Sequence, residues 1–291
     1  MRLFIFLLIF LFPLNLVFAD TELRDLWERL KEDFDAKPFF FNENINNERN
    51  GVESPFIQSL LGESSQNNAN PLTQRQLLKL PEAEFLDFNV FKLAIEGRRR
   101  LLEAGKIKDT ALLAVADFSK SSRHRRFYIL DLKKEEVLIN FWTSHALKSD
   151  VDYDGIPETF SNQPGSSQSS LGFMLTDQTY SGMWGYSLRL KGLDRKLNSQ
   201  VLSRAVVIHG FGGLGAHDAS WGNLAGSEGC LMFSLNESGR FWGLEDRSMR
   251  DIVIDTLKKG SLVFIYSDVK DESGQELIFQ SDWLKKSDLK I

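Results

Sequence analysis

The chain carries one cysteine, Cys230, among its 291 residues. A single thiol can form neither an internal disulfide nor a multi-cysteine zinc site. Histidine is nearly as scarce: His124, His145, His209 and His217 are the only four, so acid–base chemistry near neutral pH has few candidates. There is no excess of basic residues, with 35 Lys and Arg against 40 Asp and Glu and a formal charge of −5. Nucleic-acid binders carry a basic footprint, and its absence removes that class. Neither the 42% hydrophobic nor the 26% charged content fits a disordered or collagen-like chain. Internal repeats are absent, and beyond residue 19 no apolar run is long enough to cross a membrane.

The first nineteen residues differ from the rest. Arg2 gives a positive start, Leu3 to Phe18 is apolar apart from Pro13 and Asn15, and Val17-Phe18-Ala19 sets small residues where a signal peptidase reads. The run is shorter than the roughly 20 residues of a spanning helix and Pro13 interrupts it, so a cleaved signal peptide over 1–19 is expected rather than an anchor. The expected product is exported, periplasmic or otherwise, without a stable membrane span. In such a chain an unpaired cysteine is either a buried, inert side chain or a thiol kept for its chemistry. Its count alone leaves both readings open.

Residues 20–38 have apolar positions at Leu23, Leu26, Trp27, Leu30 and Phe34, the spacing of a helix. Residues 39–80 are Asn- and Ser-rich and aperiodic, a linker or irregular wrap with Phe56, Leu60 and Leu61 as a short docking turn. After Pro81 a second helix is predicted over Glu82–Ala104, ended by Gly105. Strands dominate from Thr110: 111–118, 126–132, 136–142, 171–176, 186–190, 205–210 and 262–266 are short, β-branched or aromatic and bounded by turn residues. One further helix is predicted over Asp246–Lys259. The expected fold is mainly β, a sandwich or barrel with a few helices, occupying 85–291 behind a helical arm and linker over 20–84.

Two segments of that β region carry chemistry. Arg204-Ala205-Val206-Val207-Ile208-His209-Gly210 is a buried-type strand ending in histidine, and Gly226-Ser227-Glu228-Gly229-Cys230 is a small-residue loop delivering the thiol. A thiol with a pKa of about 8.5 is mostly protonated at neutral pH and needs a base or cation beside it to act as a nucleophile. A histidine leaving a strand is better oriented for that role than one on a loop. Gly229 allows close backbone approach, and the Gly229 and Cys230 amides could form an oxyanion hole.

His209-Gly210 followed by Ser227-x-Gly229-Cys230 resembles the signature of the YkuD-type L,D-transpeptidases, in particular the murein L,D-transpeptidase catalytic domain family. Further matching pieces are Ala116-Asp117-Phe118-Ser119, Arg126 to Asp131, Ser144-His145, Phe160-Ser161-Asn162, Gly165-Ser166, Ser170-Leu171-Gly172, Tyr180-Ser181-Gly182, Gly185 to Leu188 and Gly192-Leu193, so the resemblance spans roughly 85–268. It implies a YkuD-like catalytic domain over 85–291 that acts on peptidoglycan stem peptides without metal or cofactor. By the same resemblance, Cys230 attacks the stem at the L-centre of its diamino acid and expels the terminal D-Ala as a thioester forms. His209 takes the thiol proton and later activates the incoming amine, and the Gly210 carbonyl orients its ring. Ser227, Gly229 and His145 are assigned to the substrate side. With water as acceptor the same thioester gives an L,D-carboxypeptidase, and a non-catalytic cell-wall binding protein is the reading from another class. A monomer is expected.

Three features depart from or lie outside that pattern. Glu228 stands where relatives have His or Trp, beside the nucleophile. Arg189 and Arg204 are the candidates for binding stem carboxylates. Asp150-x-Asp152-x-Asp154-Gly155 opens like a calcium loop, but position twelve is Ser161 rather than Glu, so an acidic solvated turn is favoured over a partial calcium site. Trp184, Trp221 and Trp242 flank the proposed cleft in sequence; packing in the core or at the rim is favoured over stacking on a glycan or peptide.

Overall fold

The computed structural model describes residues 20–37, 83–215, 218–219 and 225–289. The expected signal peptide, the Asn-rich linker with its docking turn, His217 and Trp221 lie outside the described residues, as does the side chain of Trp242.

Helix α1, Asp20–Ala36, turns Leu23, Leu26, Leu30 and Phe34 inward. This face joins the same hydrophobic core as the strands, so α1 is docked on the domain rather than projecting from it. Polar contacts fix its position: Trp27 Nε1 donates to Leu86 O at 2.8 Å, Val137 N to Asp33 Oδ2 at 2.7 Å, and the buried Lys92 pairs with Asp20 at 2.7 Å. Helix α2, Phe88–Glu103, starts later than the periodicity from Glu82 predicts. Asp87 caps it by accepting from Asn89 N at 2.8 Å and Val90 N at 3.4 Å, ending the extended approach there. Helix α3, Met249–Leu257, is capped by Ser248, which accepts from Asp251 N.

Ten strands are described: β1 Leu112–Asp117, β2 Phe127–Asp131, β3 Glu136–Phe141, β4 His145–Ala146, β5 Gly172–Gly182, β6 Gly185–Gly192, β7 Val207–Phe211, β8 Ala225–Ser227, β9 Leu231–Ser234 and β10 Leu262–Tyr266. Eight form one mixed sheet in the order β3-β2-β1-β10-β5-β6-β7-β9, and β4 pairs with β8 separately. The β1–β10 and β7–β9 pairs are parallel. Strands β1, β2 and β10 read as continuous apolar runs because they are buried almost throughout, with α2 packed on β10 and α1 on β3. The sheet curls until its ends approach. Phe127 of β2 packs edge-on against Phe233 of β9 with ring centroids 4.7 Å apart, and Thr143 and Ser144, just after β3, hydrogen-bond Met232 of β9. The mainly β fold with few helices is therefore present in its barrel-like form. Among the described residues no helix is long and apolar enough to cross a membrane.

Candidate active site

Strands β7 and β9 run side by side in the register Ile208↔Leu231 and His209↔Met232. Continued by one residue, that register sets Cys230 opposite Val207, with His209 two positions along on the same face as Val207. The Val207 amide accordingly reaches Cys230 Sγ at 3.5 Å, and the thiol lies 3.8 Å from the carbonyl of Ala205, to which it donates. Two residues 21 apart in sequence are thus carried at one end of two adjoining parallel strands.

His209 is buried, and its Nδ1 lies 2.9 Å from Gly210 O. A carbonyl only accepts, so Nδ1 carries the proton and Nε2 is left with its lone pair, the tautomer a general base needs. Burial lowers the pKa of this histidine, as does the Arg250 guanidinium, against the opposing Gly210 bond. Burial pushes the Cys230 thiol up, and Glu228 adds to this; the Val207 amide and Arg204 act in the other direction. Both shifts favour the neutral forms, thiol and imidazole, over a thiolate and an imidazolium.

The loop before the thiol is shaped by Gly229, at φ +125°. A Cβ there would lie 3.1 Å from Gln168 O and 3.3 Å from Arg204 Nη2. Ser227, buried at the end of β8, accepts from Gly229 N at 3.2 Å, so in this state the loop is closed by its own serine. Glu228 points to solvent.

Behind the loop stands a support that sequence reasoning did not resolve. The Ser144 hydroxyl donates to Cys230 O at 3.3 Å and accepts from Met232 N at 3.1 Å, gripping the backbone on both sides of Leu231. Its neighbour His145 pairs with Ala225 through β4 and β8, but the ring is fully buried. Arg126 Nη2 donates to Nδ1 at 2.6 Å, and Nε2–H donates to Asp150 Oδ2 at 3.1 Å. Burial, assisted by Arg126, pushes the pKa of His145 down to about 2. Assigned to the substrate side by resemblance, His145 sits behind the site with both ring nitrogens engaged. The signal for such a support lay in the Arg126, Ser144 and His145 matches, but nothing in their spacing tells a support from a contact.

The two candidate arginines are already occupied. Arg204 donates to Ser161 O (2.7 Å), Ser170 Oγ (2.6 Å) and Gln168 O (2.6 Å), which ties the 161–170 loop to the guanidinium that acts on Cys230. Arg189 lies over the Tyr180 ring, 4.2 Å from its centroid. The acidic loop brings oxygens of Asp150, Asp152, Asp154 and Glu158 within 4.8 Å of one another. Glu158, not residue 161, closes the group, and its carboxylates cap backbone amides: Ile156 N to Asp154 at 2.7 Å, Val151 N to Glu158 at 2.8 Å. Trp184 lies outside the core, 48% exposed. It stacks on His209, with centroids 5.2 Å apart and 22° between planes.

The family described as L,D-transpeptidase catalytic domain matches residues 82–266. No curated protein matches the chain. Among solved structures, L,D-transpeptidase 1 of Mycobacterium tuberculosis is similar at 14% identity over 54% of this chain and 62% of that one, with a TM-score of 0.29. An L,D-transpeptidase of Xylanimonas cellulosilytica is 12% identical over 73% of this chain and 94% of its own, TM-score 0.31. The helical cell shape determining protein Pgp2 of Campylobacter jejuni is 11% identical over 62% and 57%, TM-score 0.33. The chain spans less than two thirds of the length of the mycobacterial structure it matches.

Proposed function

Because the chain belongs to the L,D-transpeptidase catalytic domain family, we propose that it is an exported peptidoglycan L,D-transpeptidase working through a thioester on Cys230. The observation that carries this reading is the Nδ1–H to Gly210 O bond at 2.9 Å, which leaves His209 Nε2 as the base on the strand adjoining the nucleophile. In the forward half-reaction the thiol proton passes to Nε2 while sulfur bonds to the stem carbonyl carbon. The carbon–nitrogen bond to the terminal D-Ala then breaks, and its amine leaves with the proton held on His209. In the second half-reaction an acceptor amine gives its proton to Nε2, attacks the thioester carbon and releases the Cys230 thiolate, which is reprotonated. Splitting one amide exchange into two steps of similar difficulty needs neither ATP nor an activated donor, which suits a compartment outside the cytoplasm.

The thiol must turn from Ala205 O to reach Nε2, and a neutral starting pair means that proton transfer accompanies attack. Incubation with a carbapenem followed by intact-mass measurement tests the assignment. One adduct is expected on the wild type and none on Cys230→Ala; an unmodified wild-type protein would instead favour a cell-wall binding role. Digestion of tetrapeptide sacculi after incubation then distinguishes cross-linked dimers from the shortened stems of a carboxypeptidase.

A further inference from the structure

Strands β5 and β6 form a long hairpin whose register runs from Met174↔Gly192 to Gly182↔Gly185, leaving Met183 and Trp184 as its tip. Gly185 closes the turn at φ +70°, a left-handed position that favours glycine. The outer hairpin leaves the core: Met183 is 88% and Trp184 48% exposed. The indole is nonetheless not free, because its face lies on the imidazole of His209.

That placement is set from two directions. Strand β6 pairs with β7 through Leu188↔Ile208 and Arg189↔Val207, which carries the tip toward the end of β7 where His209 stands. From α3, Arg250 Nη1 donates to Tyr186 O at 3.1 Å and holds the base of the tip. His209 is thus gripped at one edge by Gly210 O and on one face by Trp184. An imidazole bonded only at Nδ1 can still swing about that bond; a stacked indole opposes the swing and keeps water from the covered face.

We propose that Trp184 is a positioning residue for His209, its indole holding the imidazole in the plane that presents Nε2 to Cys230. This rests on His209 acting as the base. The charged group acting on the ring from α3 is Arg250, and the titratable group just before the adjoining strand is Cys230; neither carries an aromatic face to stack on the imidazole.

The test uses the full chain with Trp184→Ala and Trp184→Phe, both at a half-exposed tip outside the core. In the wild type the His209 Cε1 proton is expected to show an upfield ring-current shift in NMR. Trp184→Ala removes that shift, and the titration midpoint of His209 moves up toward the ordinary value of about 6.5 as water reaches the ring. Carbapenem acylation slows about tenfold in Trp184→Ala and stays within about twofold in Trp184→Phe, which keeps an aromatic face. Wild-type chemical shift and titration in Trp184→Ala overturn the proposal, as does Trp184→Phe reacting as slowly as Trp184→Ala. A wild type that takes no carbapenem sinks the acyl-transfer reading instead, while the resonance of His209 still decides whether the stack holds the ring.

Discussion

At the scale of single residues, the proposed chemistry turns on two groups whose neutral forms burial favours. His209 is held below its ordinary pKa and Cys230 above its own, so their charged forms are both disfavoured at pH 7. The sign for reactivity follows. Protonation of His209 removes the base, so acylation by a carbapenem is expected to fall on the acid side, at a pH below the ordinary imidazole value of about 6.5, and to be level above it until the thiol itself ionises. Alkylation of Cys230 by iodoacetamide, which needs the thiolate itself, should keep rising past about pH 9 with no acid-side shoulder. An acid-side shoulder would reveal a preformed thiolate–imidazolium pair and overturn the neutral assignment. His209→Asn should lose the acid limb and about a hundredfold or more in acylation rate.

At the scale of elements, α1 shows how an apparent appendage becomes part of the domain. Its four inward side chains are nearly inaccessible to solvent, and a buried leucine contributes about 1.5–3 kcal/mol relative to an exposed one. Leu30→Ala is expected to lower unfolding stability by about 2–5 kcal/mol, read as a lower urea midpoint at unchanged slope. A loss under about 0.5 kcal/mol would mean that α1 is only loosely held. The helical spacing of α1 was visible in the sequence; its docking was not, because a hydrophobic stripe says that a face will be buried but not against what. Strand β9 escaped prediction for a related reason. Leu231 to Ser234 is too short for alternation to register, and it is a strand because β7 lies beside it. The outer half of β5, polar from Asp177 to Gly182, likewise exists through pairing with β6 rather than through burial.

At the scale of the whole molecule, the curl of the sheet brings the segment after β3 against β9. Ser144 is the tie across that seam, linked to Cys230 O and Met232 N. Ser144→Ala leaves a buried amide unsatisfied, for a cost of about 1–3 kcal/mol in stability. The loss is expected to extend to function, with carbapenem acylation about tenfold slower because the strand that presents the thiol is loosened. Thermal unfolding and acylation measured on the same preparation check this; lowered stability with an unchanged rate would confine Ser144 to a role in folding.

The proposed reacting groups were legible from scarcity. With one thiol and four histidines, and only one histidine ending a buried-type strand, the candidates were Cys230 and His209 before any fold was known. The apolar runs of β1, β2 and β10 were equally plain, because strands buried on both faces must be apolar throughout. Only the tertiary structure decided which nitrogen of His209 carries the proton, that Trp184 covers its ring, and that His145 stands behind the loop between Arg126 and Asp150. Local periodicity reports which side of an element will be buried. Register, tautomer and stacking arise where segments remote in sequence come into contact, and the chain must fold before those contacts exist.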